Sequence, residues 1–324
     1  MEKCEKGKKV VAIGGGTGLS TMLRGIKAYT NEITAIVTVA DNGGSSGKIR
    51  EEMGIMPPGD IRNCLVALAN TEPIMERLLQ YRFKEGSMQG QNFGNLLIAT
   101  LAEITGSFEE AVYVTSNVLA ITGKVLPVTL EDVHLHALFE DNQAIIGETE
   151  IVEYGKQNET NICHIELDPK LPEANKEVLK AISEAEMIIL GPGSLYTSII
   201  PNLLVKDISE SIKKAPAEKI YIANIMTQPG ETSRLSLEEH IEILEQYLGK
   251  DILDMVVVNS EQVSKKQMKE YEEEGAKLLT VDVNHPIWQR VQKLEVPLIK
   301  IHEHHRYIRH DPKKLAKCLF EIKK

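Results

Sequence analysis

Short apolar segments alternate with helical ones along most of this chain, and that alternation restricts the fold more than any other feature. Lys9–Ile13, Ile33–Val39, Met187–Leu190, Ile220–Ala223 and Met255–Val258 have strand length. Helical spacing runs through Leu19–Ala28, Leu65–Leu79, Asn95–Glu103, Glu173–Ser183, Leu237–Tyr247 and Glu261–Glu274. Continuously apolar strands set between helices belong to a parallel sheet covered on both faces. The expected fold is therefore a doubly wound α/β domain with a mainly parallel sheet, and 324 residues suffice for it as one domain. Between about 117 and 167 the pattern changes to apolar–polar alternation, with turn signals at Thr122-Gly123 and Asp141-Asn142. This predicts an antiparallel insertion or small lobe over 117–167. Asp311–Lys324 reads as a terminal helix.

Composition narrows the function. A net charge of -10 with no basic face disfavours general nucleic-acid binding, although an acidic chain can still hold a phosphate-bearing small molecule locally. The four cysteines, Cys4, Cys64, Cys163 and Cys318, form no CxxC pair and read as reduced thiols. The charged N-terminus is followed by only four apolar residues, and no apolar run approaches the ~20 residues of a membrane span. A cytoplasmic protein with no membrane partner is expected, and domains of this kind often form homodimers.

In open α/β sheets ligands bind beyond the carboxyl ends of the strands, so the residues after each strand are the informative ones. VVAI is followed by GGGTG, with four glycines in five positions; ITAIVTV by ADNGGSSGKIR; MIIL by GPGSLYTS; KIYIA by NIMTQPGETS. Loops this small can turn several backbone N–H groups toward an anion. The first loop is not GxGxxG, because Leu19 stands where the third glycine belongs, and no Lys follows Gly18 to make a P-loop. The Thr17 hydroxyl and the amides of Gly15, Gly16, Thr17 and Gly18 are the candidate phosphate ligands, joined by Gly191, Gly193 and Ser194 after MIIL.

Asp41 and Asp60 are the acids of the glycine- and proline-rich region. Asp60, in MPPGDIRN, is either a helix N-cap or a metal or substrate ligand, and Arg62 either pairs with Asp41 or binds phosphate. Asn92 and Asn95, around Gly94, are either caps or ribose or sugar contacts. His302, His304, His305 and His310 read as a solvated polar segment and His134 and His136 as structural, since no carboxylates are placed to complete a metal shell. No Ser-His-Asp or Cys-His arrangement can be argued from spacing.

IGGGTGLS, TVADNGGSSGKIR, PPGDIRN, QNFGN, GPGSLYTSIIPN and ANIMTQPGET together resemble the YvcK-type gluconeogenesis factors, relatives of the 2-phospho-L-lactate transferase CofD. The resemblance runs from Val10 to about Pro312. It implies a Rossmann-like fold and a site for a nucleotide diphosphate. By motif, Gly15 to Gly18 and Asn224, Met226, Thr227 and Gln228 would line the nucleotide pocket. Asp41, Asn42, Gly43, Gly44, Ser45 and Ser46 would lie beside the diphosphate, and Tyr271 and Arg309 would contact base and phosphate. The gluconeogenesis-factor branch implies a cytoplasmic protein that binds UDP-sugars such as UDP-N-acetylglucosamine, serves cell shape and wall synthesis, needs no cofactor and reports to an unidentified protein partner. The transferase branch implies an enzyme that moves a phospholactyl group from a nucleotide donor to a deazaflavin, with Mg2+; as hard oxygen ligands, Asp41 and Asp60 are the candidates to share that ion with the diphosphate.

Overall fold

The computed structural model describes residues 7–300 and 308–321, apart from the side chains at 265 and 266. Its frame is a seven-stranded sheet in which every neighbouring pair is parallel. The strands are β1 (Val10–Gly14), β2 (Ile33–Val37), β3 (Lys124–Pro127), β7 (Met187–Leu190), β8 (Glu218–Ile222), β9 (Met255–Asn259) and β10 (Gln292–Val296). Their order is β10-β9-β8-β7-β1-β2-β3. Side chains alternate between the two covering layers: Val11 and Ile13 enter one apolar core, Val10 and Ala12 the other. Burial on both faces is why β1, β2, β7 and most of β8 and β9 read as apolar runs, whereas the edge strands β3 (KVLP) and β10 (QKLEV) do not.

Strand order reverses at β1, whose neighbours are β2 and β7. From there the chain winds outward in both directions, so the connections after β1 and β7 diverge and leave a crevice beyond the strands' carboxyl ends. Helix α1 (Gly16–Ile26) starts immediately after β1. Next come α2 (Gly44–Met53), α3 (Gly59–Leu68), α4 (Pro73–Leu79), α5 (Phe93–Thr105) and α6 (Phe108–Val118). The single helix expected over Leu65–Leu79 is therefore two, broken ahead of Pro73, whose fixed φ and missing N–H suit a helix start. ADNGGSSG is not all loop either, since α2 begins at Gly44.

The antiparallel lobe exists but is smaller than expected. It is a three-stranded sheet of order β5-β4-β6, made by β4 (His134–Phe139), β5 (Ala144–Ile146) and β6 (Ile162–Asp168), with α7 (Glu148–Asn158) between β5 and β6. The stretch from 117 to 133 belongs to the main domain: β3 lies parallel to β2 as the sheet's edge strand. An edge strand keeps an exposed side, and the outward Lys124 gives β3 the alternation of an antiparallel strand. The terminal helix, Pro312–Glu321, packs on α1, where a Cβ on Gly25 would lie 1.9 Å from the Pro312 carbonyl oxygen. Among the described residues no helix is long and apolar enough to cross a membrane.

Candidate functional site

A cleft of about 850 Å³ opens at the switch point. Its floor is the glycine turn. The residue that caps α1 is Gly15, with no side chain to bond the helix's first N–H groups. An α-helix leaves those donors without internal partners, and among the described residues the Gly16 N–H is bound by the Asp60 carboxylate. The glycines answer to packing as well as to the cleft. A Cβ on Gly15 would stand 2.6 Å from Asp60 Oδ2, and one on Gly18 would stand 2.3 Å from the Pro192 carbonyl oxygen. Gly16 has φ +63°, the left-handed region that a side chain disfavours. Bare backbone is thus required on both sides: neighbours press from behind, and open space lies in front.

The opposite wall comes from β7 and β8. Gly193, Ser194, Asn224, Met226, Thr227 and Gln228 all line the cleft. Asn224 Nδ2 donates to the Gly193 carbonyl oxygen (2.9 Å) and Gln228 Nε2 to Ser194 Oγ (2.5 Å), which fixes the two loops to each other. The rim carries Tyr271, Ile308, Arg309 and His310. The Tyr271 hydroxyl donates to the Ile308 carbonyl oxygen (3.4 Å) and accepts from its N–H (2.6 Å), joining the helix Lys265–Glu273 to the chain beside Arg309. His302, His304 and His305 lie outside the described residues. His310 is buried, and burial lowers its pKa to about 4, so it is neutral near pH 7.

Acidic groups converge on one side of the cleft. Asp41, Asp60 and Glu148 all line the cleft. Asp60 is not a helix cap: Pro58 caps α3, and Asp60 sits in the first turn facing Gly16. Burial, reinforced by the negative charge of Asp41, pushes its pKa up to about 7, against the Gly16 N–H and the Arg62 charge. Glu148 is raised too, first by burial and then by the charge of Asp41, to which it is hydrogen-bonded. Behind the Ser194 loop, buried Glu231 is raised to about 7 by desolvation, though Thr197 and Ser194 hydrogen-bond to it. Among the described residues no three His, Cys, Asp or Glu side chains form a metal shell on their own.

Several expected residues stand elsewhere. Asn42, Gly43, Gly44, Ser45, Ser46, Asn92, Asn95 and Gly191 are not on the cleft surface. Ser45 Oγ donates to Gln91 Oε1 (2.7 Å) and accepts from the Asn92 N–H (3.0 Å), while Asn92 caps α5 through the Asn95 N–H (3.1 Å). Arg62 reaches neither Asp41 nor the cleft. It is buried, donating to Asn95 Oδ1 and Asn63 Oδ1, both at 2.7 Å. These residues lock α2, α3 and α5 together beneath the site. Conversely, Glu148 and Lys156 reach the cleft from α7 with no signal in their own segment.

The sequence profile of the family described as 2-phospho-L-lactate transferase CofD matches residues 10–301. The chain belongs to the CofD family. Within it, a relative from Thermoanaerobacterium thermosulfurigenes is 51% identical over 98% of this chain and 97% of its own length. The Gluconeogenesis factor of Bacillus subtilis is 45% identical over 98% of each chain. A crystal structure of a UPF0052-family protein from Bacillus halodurans superposes with a TM-score of 0.92 at 41% identity, covering 98% of this chain and 100% of that one. All three span the cleft-forming elements of this CofD-family chain, which agrees with the motifs lying at the ends of β1, β2, β7 and β8.

Proposed function

We propose that this chain is a cytoplasmic regulator that binds a nucleoside diphosphate-sugar, a UDP-sugar such as UDP-N-acetylglucosamine first of all, and serves cell shape and wall synthesis on gluconeogenic carbon sources. The observation that carries this reading is the α1 N-terminus: its cap residue, Gly15, has no side chain, and the turn opens to a cleft of about 850 Å³ at the switch point. Free N–H groups and the helix dipole there favour a phosphate. Lys156 and Arg309 add positive charge at the rim. The name of the Bacillus subtilis relative supports the metabolic setting. Calorimetry against UDP-N-acetylglucosamine, UDP and GDP, with and without Mg2+, tests it; no binding of either uridine nucleotide would end the proposal.

The acids favour a second reading, a metal-assisted phospholactyl transferase. Asp41 and Asp60 beside an anion site would repel a bare diphosphate, whereas a hard divalent cation held by two carboxylates and the diphosphate oxygens makes the same surface attractive. Bound there, Mg2+ would neutralise charge on the transferring group. The α1 amides would orient the donor, and the Asp60 carboxylate would hold the glycine turn through the Gly16 N–H. Incubation with Mg2+, the nucleotide-linked phospholactyl donor and a deazaflavin decides between the two, since the regulator leaves the deazaflavin unmodified.

A further inference from the structure

Helix α7 starts at the cleft without a cap of its own. Its N-cap is Gly147, at φ 98°, and no side chain of its own segment bonds the first turn. The cap comes from the neighbouring layer. Asn42, in the loop after β2, accepts the Thr149 N–H on Oδ1 (3.0 Å) and donates from Nδ2 to Glu150 Oε2 (2.6 Å). The fit is tight: a Cβ on Gly147 would stand 2.6 Å from Asn42 Nδ2, and one on Gly43 would stand 3.1 Å from Thr149 Oγ1. Beside this cap Glu148 is hydrogen-bonded to Asp41, and roughly two turns further along α7 Lys156 enters the same cleft. Asn42 itself is off the cleft surface.

We propose that Asn42 is a positioning residue for the ligand: by capping α7 across the layers it fixes where Glu148 and Lys156 stand, and so couples the antiparallel lobe to occupancy of the cleft. This rests on the reading of the cleft as a nucleoside-diphosphate site. The cap supplies what the α7 sequence lacks, an acceptor for an orphan N–H. Without it the first turn of α7 frays and carries Glu148 and Lys156 away from their places.

Two measurements test this separately. Hydrogen exchange on the ligand-free protein follows residues 147–158 in wild type, Asn42→Ala and the double variant Asn42→Asp/Glu150→Gln. Calorimetry follows UDP-N-acetylglucosamine with Mg2+ on the same three proteins. The expected result is faster exchange confined to α7 in Asn42→Ala and an affinity about tenfold lower, the size of a helix cap. The double variant should restore both, because a carboxylate still accepts the Thr149 N–H and the new amide donates to it. Weakened binding with unchanged α7 exchange overturns the proposal, and so does faster exchange with unchanged affinity. If wild type binds no nucleotide, the reading of the cleft fails; unchanged α7 exchange would then overturn the cap as well, while faster exchange would uphold it.

Discussion

At the scale of single residues, neighbours in the glycine turn have separable roles. Thr17 is exposed on the cleft floor, and among the described residues no hydrogen bond ties its hydroxyl to the core. Thr17→Ala should therefore weaken nucleotide binding several-fold while changing stability by less than about 0.5 kcal/mol, as surface substitutions do. Calorimetry with thermal unfolding checks it; a large drop in melting temperature with unchanged affinity would make the turn purely structural. Gly18, one residue on, must be bare because the Pro192 carbonyl oxygen occupies its Cβ position. Gly18→Ala forces backbone apart at the switch point and should cost about 1–3 kcal/mol, the usual cost of overpacking. It should weaken nucleotide binding too, so denaturant unfolding and calorimetry should both register it.

At the scale of elements, the site joins loops to the first turns of α1, α3 and α7, and side chains that do not reach the cleft hold them from beneath. The Ser45–Gln91–Asn92 bonds and the buried Arg62–Asn95 bond tie α2, α3 and α5 beneath Asp41 and Asp60. Those polar side chains sit out of water, and apart from Arg62 Nε they have partners in place, which keeps the cost of their burial low. The far side of α1 offers a control. Gly25→Ala would drive a Cβ into the Pro312 carbonyl oxygen and loosen the terminal helix. A loss of about 1–3 kcal/mol is expected in denaturant unfolding, with nucleotide affinity close to wild type. A large loss of affinity would mean that the terminal helix sets the geometry of the cleft.

At the scale of the whole molecule, buried titratable groups set the pH range of stability. Asp60 and Glu231 are raised from 3.8 and 4.5 to about 7, and Glu148 is raised as well. In the fold these acids keep protons that the unfolded chain has lost, so their contribution is full below the unfolded values; that of Asp60 and Glu231 disappears as pH rises through about 7, and that of Glu148 as it rises through about 9. Buried His240 and His310 are lowered from 6.5 to about 4, so their contribution is full above 6.5 and is lost as pH falls toward 4. The two sets oppose each other below 6.5, and above it only the acids act. The urea midpoint should therefore fall between pH 6.5 and pH 8, and Asp60→Asn should flatten part of that slope. A midpoint that rises over this interval in wild type would refute the assignment.

What the sequence by itself determined is whatever depends on local pattern. Two-sided burial makes β1 and β7 apolar throughout and β8 and β9 apolar over Ile220–Ile222 and Met255–Val258, and the loops at their carboxyl ends announce themselves by having few bulky side chains. Those signals located the fold class and the residues from Gly15 to Gly18 and from Asn224 to Gln228. Tertiary structure alone decided the rest. QNFGN and GGSS carry the same small polar residues as the cleft loops, yet pairing across helices turns them into scaffold, because a hydrogen bond between distant segments leaves no periodicity in either. β3 and α7 were hidden for the opposite reason: an edge strand alternates like an antiparallel one, and a helix capped by Asn42 from another layer needs no start signal of its own.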